Sequence, residues 1–208
     1  MKTEFKMSMV GELTFLLGLQ IRQLKDGIFL SQSKYARKLV MKFSLESTKH
    51  SRTPMSTTTK LSKDTFRKVV EQNLYRSMIG SLLYLTASPF DISFSVGDCA
   101  RYQANPKESH LVYVKRIIHY INWSLDYGLW YPYDSFLVIV GYSNADRVGN
   151  VEDRKNTFGV CFLVGDCLMA WLSKKKNFVS LSTTENKYIV VGSCSTQLLW
   201  MKKNVERL

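Results

Sequence analysis

The chain has 208 residues, enough for one large domain or two small ones, and its 45% hydrophobic and 22% charged composition excludes a disordered chain. Lys and Arg number 29 against 17 acids, a formal charge of +12, and such a surplus favours a polyanionic partner because each neutralised phosphate releases condensed counterions. Cys99, Cys161, Cys167 and Cys194 form no C-x-x-C pair and lie far from His50, His110 and His119, which excludes zinc spacing and leaves reduced thiols of a cytosolic or nuclear protein as the expectation.

The apolar run from Leu13 to Leu19 is interrupted by Thr14 and Gly18, follows Glu4 and Glu12, and has no small-x-small cleavage site after it, so no signal peptide is read there. No apolar stretch reaches membrane-spanning length. Leu13–Arg22 and Ile28–Leu30 flank Lys25-Asp26-Gly27, and Asp-Gly between apolar runs predicts a β-hairpin. Ser31 or Ser33 can cap a helix running to about Phe43. Its apolar face is Tyr35, Leu39, Val40 and Phe43, and Lys34, Arg37, Lys38 and Lys42 share the opposite one.

From Ser47 to Asp64 the periodicity breaks around Pro54 and a Ser/Thr run, which reads as an exposed linker. Three helices follow. The first spans about Glu71 to Leu85, with Leu74, Met78, Leu82 and Leu85 inward, and stops before Pro89. The second spans Asp91 to Tyr102, with Ile92, Val96 and Cys99 inward. The third opens at Asn105-Pro106-Lys107-Glu108, read as cap, proline at the first helical position and glutamate three beyond the cap; it buries Leu111, Val114, Ile118 and Ile121.

Beyond Ser124 the pattern turns to strands: Leu125–Tyr131, then Leu137–Tyr142, whose opening run Leu137-Val138-Ile139-Val140 predicts burial on both faces. Val160–Val164 and Cys167–Leu172 flank Gly165-Asp166 as a hairpin. A final helix starts near Thr184, with Tyr188, Val191, Ser195 and Leu198 on one side. The composition shift near Ser135 marks a domain boundary.

Several long strings carry a resemblance. Gly11-Glu12-Leu13-Thr14-Phe15-Leu16-Leu17-Gly18-Leu19-Gln20, Tyr75-Arg76-Ser77-Met78-Ile79-Gly80-Ser81-Leu82-Leu83-Tyr84-Leu85, Ala100-Arg101-Tyr102, Asp153-Arg154-Lys155, Trp171-Leu172-Ser173-Lys174-Lys175 and Leu181-Ser182-Thr183 resemble, in order, the Pol polyproteins of copia-type LTR retrotransposons. The resemblance implies an α+β chain in three parts. Residues 1–64 match the reverse-transcriptase tail, with a primer-grip-like hairpin and a thumb helix. Residues 65–134 match the helical connection region. Residues 136–208 match the first half of an RNase H-like α/β domain.

That family cleaves the RNA strand of an RNA–DNA hybrid with two Mg²⁺ ions, which must be clamped by anionic oxygens about 4 Å apart. The family string Tyr-Ser-Asp-Ala-Asp reads here Tyr142-Ser143-Asn144-Ala145-Asp146, and Glu-Ala-Glu-Tyr reads Glu185-Asn186-Lys187-Tyr188. The resemblance therefore sets Asn144 and Lys187 on the ligand positions. A carboxamide supplies no negative charge; an ammonium 4 Å from Mg²⁺ costs on the order of 8 kcal/mol at an effective dielectric of about 20. The family's third carboxylate would lie past Leu208, and the Tyr-x-Asp-Asp string of the polymerase upstream of Met1. The expectation is an inactive chain with no cofactor, although Asp146 and Glu185 survive as neighbouring carboxylates for a residual ribonuclease H. Other departures agree with decay: Ser88-Pro89-Phe90-Asp91 for Ser-Arg-Pro-Asp, Asp146-Arg147-Val148-Gly149 for Asp-Trp-Ala-Gly, and Asp98 where an apolar residue is usual.

What remains is a cationic surface. Lys34, Arg37, Lys38 and Lys42, with Lys174, Lys175 and Lys176, suit weak, sequence-independent binding of an RNA–DNA hybrid or other nucleic acid; each cluster also reads as a plain solvated face. Tyr102, Trp123, Trp130 and Tyr131 suit base stacking or core packing. With no parallel neighbour, Leu137–Val140 would be an open apolar edge suited to self-association or to pairing with an intact Pol copy.

Overall fold

The computed structural model describes residues 11–46, 50–56, 61–88, 90–134, 136, 138–146, 157–175 and 182–205. The chain is a mixed α+β protein with two antiparallel sheets and, among the described residues, five α-helices. The first sheet has the order β1 (Phe15–Leu16), β2 (Leu19–Leu24), β3 (Gly27–Ser31), β4 (Leu129–Pro132). The second contains β5 (Ile139–Asp146), β6 (Thr157–Val164) and β7 (Cys167–Lys175), in that order.

The Asp26-Gly27 hairpin forms as expected, with Leu24 opposite Gly27. The strand predicted from Leu13 to Arg22, however, is split by a second reversal at Leu17-Gly18, where both residues take positive φ (48° and 85°). Two consecutive positive φ values make the primed turn that matches strand twist. The Tyr84 hydroxyl closes this tip by donating to the Leu17 carbonyl at 2.6 Å.

Helix α1 (Ser33–Lys42) buries Ala36, Leu39 and Val40, with Tyr35 and Phe43 packed against the core. Neither Ser31 nor Ser33 caps it. The Lys34 amide instead donates to the Gln20 side-chain oxygen at 2.8 Å, so a neighbouring strand satisfies the helix end. Helix α2 (Gln72–Leu85) buries Tyr75, Met78, Ile79, Leu82 and Leu85, whereas the predicted Leu74 is exposed. Tyr75 takes its place because its hydroxyl finds a buried acceptor, the Cys99 carbonyl, at 2.8 Å. A 3-10 turn (Phe90–Ile92) leads into α3 (Ser93–Ala100), which buries Ile92, Val96 and Cys99 as predicted.

Helix α4 (Glu108–Trp123) starts later than expected. Lys107, not Asn105, is the cap residue. The Lys107 amide donates to His110 Nδ1 at 3.0 Å, and the Glu108 amide to the Lys68 carbonyl at 3.1 Å. His110 is fully buried, its Nε2 lies 2.7 Å from the Ser62 carbonyl, and it stacks on Tyr102 with ring centroids 4.1 Å apart. The linker is therefore not uniformly exposed: Ser62 is held at this helix end and Leu61 is in the core. Val114, Ile117, Ile118 and Ile121 are buried, while Leu111 is only half-buried. One core thus joins residues from α1 to α4, and the first strand candidate after it forms only at its end, pairing Leu129–Pro132 with β3.

Helix α5 (Thr183–Val205) covers one face of the second sheet. Its buried residues are Asn186, Val190 and Cys194, with Leu198 half-buried; Tyr188, Val191 and Ser195 face solvent, contrary to expectation. Gly141 explains the rotation. A Cβ there would come within 2.9 Å of Leu198 and 3.0 Å of Cys194, so the bare backbone of β5 admits that ridge of the helix. The opposite face of the sheet meets the helical body, where the Trp171 indole donates to the Thr86 carbonyl at 3.1 Å and Arg101 donates to the Thr157 hydroxyl. β5 is not buried on both faces. Among the described strands it lies at an edge, with Ile139 and Val140 half-buried and Val138 exposed.

Candidate functional site

Three places bear on chemistry: the outer face of α1, the end of β5 with the start of α5, and the tip of β7. On α1, the 3.6-residue period that turns Leu39 and Val40 inward turns Lys34, Arg37, Lys38 and Lys42 outward, and all four are exposed. Arg37 reaches Asp126 at 3.4 Å, with 60% and 85% of the two side chains exposed, so solvent screens this pair. Lys42 donates to the Ser77 hydroxyl at 3.1 Å and lies over the Phe43 ring. The face thus keeps its positive character, modulated by an acid, among the described residues, at Arg37.

On β5, Asn144 is exposed and its backbone is opposite Gly159. Side chains alternate along a strand. Position 141 faces Cys194 and Leu198 of α5, so position 144 faces the other way. There Asn144 borders a cleft of about 350 Å³ together with Ser93, Phe94, Tyr142, Trp171 and Ser173. Glu185 and Lys187 are exposed in the first turns of α5, and the Glu185 amide donates to the Ser182 hydroxyl at 3.0 Å, which caps the helix. By alternation the Asn144 side chain leaves β5 on the face away from Cys194 and Leu198, close to the end of the strand, and Lys187 stands in the first turns of α5. Asn144 offers a carbonyl oxygen without negative charge, and Lys187 an ammonium. Among the described residues, no three His, Cys, Asp or Glu side chains come together as a metal cage.

On β7, Lys174 is exposed. Leu137 and Lys176 lie outside the described residues, as do the side chains of Asp146 and Lys175. Of the aromatic candidates, Tyr102 is a core residue stacked on His110. Trp123 and Trp130 are exposed, and Tyr131 is half-buried, its hydroxyl donating to the Leu168 carbonyl at 2.7 Å. Among the described residues no helix is long and apolar enough to cross a membrane.

Sequence comparison gives the class first: the chain is a homologue of transposon-encoded proteins. Specifically, its homologues are copia-type, retrovirus-related Pol polyproteins. It is 32% identical over 190 residues to the Retrovirus-related Pol polyprotein from transposon RE1 of Arabidopsis thaliana, which covers 91% of this chain and 13% of the polyprotein. It is 28% identical over 207 residues to an uncharacterized mitochondrial protein of the same plant, covering 100% of this chain and 86% of that protein. A third relative, the Secreted RxLR effector protein 161 of Plasmopara viticola, is 31% identical over 64% of this chain and 94% of its own length. The chain spans 13% of the length of the RE1 and RE2 polyproteins it matches. No family model matches the chain, and no solved structure matches it.

Proposed function

We propose that this chain is a catalytically inert remnant of the reverse transcriptase–RNase H part of a copia-type Pol polyprotein, retaining weak, sequence-independent affinity for nucleic acid. The inert half is supported by residue chemistry: at the two positions the resemblance assigns to metal ligands stand an amide, Asn144, and an ammonium, Lys187. The cationic face of α1 supports the binding half, because exposed Lys and Arg at helical spacing can follow a phosphate backbone without reading bases. A labelled RNA–DNA hybrid separates the readings. Salt-dependent binding without cleavage in Mg²⁺ or Mn²⁺ is the expected result; cleavage abolished by Asp146→Ala would instead establish a residual ribonuclease H.

A second reading rests on β5. Its outer edge has no neighbour among the described strands, and Val138 beside it is 60% exposed. Open backbone groups next to apolar side chains pair readily with another strand, so we propose self-association of this chain through that edge. Light scattering across a dilution series tests it: a mass independent of concentration and equal to the monomer excludes this pairing.

A further inference from the structure

We propose that the cavity between the start of α1, the end of α4 and the start of β4 holds one unstacked nucleobase bearing an exocyclic amino group. The cavity measures about 310 Å³, within the range of small-ligand pockets. Leu85, Ile121, Leu125 and Leu129 give it apolar walls suited to a ring face. Two polar side chains set the preference. Gln32 lines the cavity and is 3% exposed, yet its amide nitrogen and oxygen have no hydrogen-bond partner among the described residues. A carboxamide offers one donor edge and one acceptor edge, and once the Gln32 side chain turns from the wall into the cavity these complement an adenine amine and its ring nitrogen. Asp91, also on the lining, accepts from the Tyr120 hydroxyl. A carboxylate only accepts, so it favours an amino group, as on cytosine, over the carbonyl of uracil, and it disfavours a phosphate.

Tyr127 lines the mouth of the cavity, is 62% exposed, and stands edge-on to Trp123 with centroids 5.5 Å apart. An exposed ring held at its edge is a platform for a base. The residue before it, Asp126, holds Arg37 of α1 at 3.4 Å. The pocket mouth therefore adjoins the cationic face, and a strand lying on Lys34 and Lys38 can turn one base into the cavity. In that respect the inference rests on the nucleic-acid reading above and deepens it.

The test is calorimetric titration of the full chain with nucleosides at high salt. Nucleosides carry no phosphate, so the α1 face does not contribute. Adenosine is expected to bind about ten-fold tighter than inosine, and cytidine about ten-fold tighter than uridine. Asp91→Asn should narrow the cytidine–uridine gap. Tyr127→Ala, at an exposed position, should weaken every nucleoside about ten-fold with an unchanged circular dichroism spectrum. Equal binding within the matched pairs, no saturable binding, or an indifferent Tyr127→Ala variant overturns the proposal. Nucleoside binding without binding of a hybrid would refute the α1 reading and leave the pocket standing.

Discussion

The Asp98 carboxylate meets the Arg101 guanidinium at 2.9 Å, one helical turn apart, with 10% and 13% of the two side chains exposed. The same guanidinium donates to the Thr157 hydroxyl on β6. An acid that looks out of place between Val96 and Cys99 is therefore paired, and its partner links the helical body to the second sheet. Removing one member of a buried pair strands the other charge. Asp98→Ala is expected to destabilise the fold by about 3–5 kcal/mol. The double variant Asp98→Ala, Arg101→Ala should cost less than the sum of the single ones. Urea denaturation of the three variants checks both points.

Under the proposed nucleic-acid binding, the exposed lysines of α1 should govern its salt dependence. Each phosphate contact contributes about 0.9 to the slope of log affinity against log salt on duplex. Lys34→Ala with Lys38→Ala should lower that slope by nearly two, without changing sequence preference. Arg37→Ala should matter less, because Asp126 already engages it. Filter binding across a salt series reads the difference.

Restoring the two acids should not restore cleavage. Asn144→Asp with Lys187→Glu returns two charges, but two-metal hydrolysis needs several acidic ligands around one ion pair, and among the described residues no three His, Cys, Asp or Glu side chains come together. Any Mg²⁺-dependent cleavage of a hybrid by the double variant would show that the two positions can share a metal site.

His119 makes the fold sensitive to mild acid. Burial lowers its pKa below the usual histidine value of 6.5, helped by the neighbouring Lys115 ammonium and by His50 beside it. The unfolded chain then takes up a proton first as pH falls through about 6.5, so stability drops there and levels off once the pH is below the folded value as well. His119→Gln should flatten this part of the stability profile, measured as the denaturation midpoint from about pH 7.5 to about pH 5. Cys99 behaves oppositely in reactivity. Burial, with Asp98 beside it, pushes its thiol up to about 12, so it should resist alkylation at neutral pH until the chain is unfolded.

Local chemistry made much of this architecture readable. Asp26-Gly27 and Gly165-Asp166 announced their hairpins because turn chemistry is short-range, and the α1 stripe followed from helical period alone. The reversal at Leu17-Gly18 carried a signal, a glycine inside an apolar run, that was outweighed by the run itself. Partners distant in sequence decided the other differences. Gln20 caps α1, Lys68 and His110 set the start of α4, and Gly141 rotates α5 by admitting Cys194 and Leu198. At the candidate site, Asn144 and Lys187 were identifiable as residue types from the strings around them. Which face of β5 the helix covers is set by Gly141, and no periodicity encodes that. The cavity at Gln32 was equally hidden, since α1, α2, α4 and β4 all contribute to its walls.

Trp171 gives the molecule a built-in reporter. Its indole leaves the second sheet to hydrogen-bond the Thr86 carbonyl at the end of α2, while Trp123, Trp130 and Trp200 are all more than two-fifths exposed. Prying the two bodies apart would hydrate that one ring and shift its emission to longer wavelength. Disengagement of the halves can thus be followed optically, before either half melts.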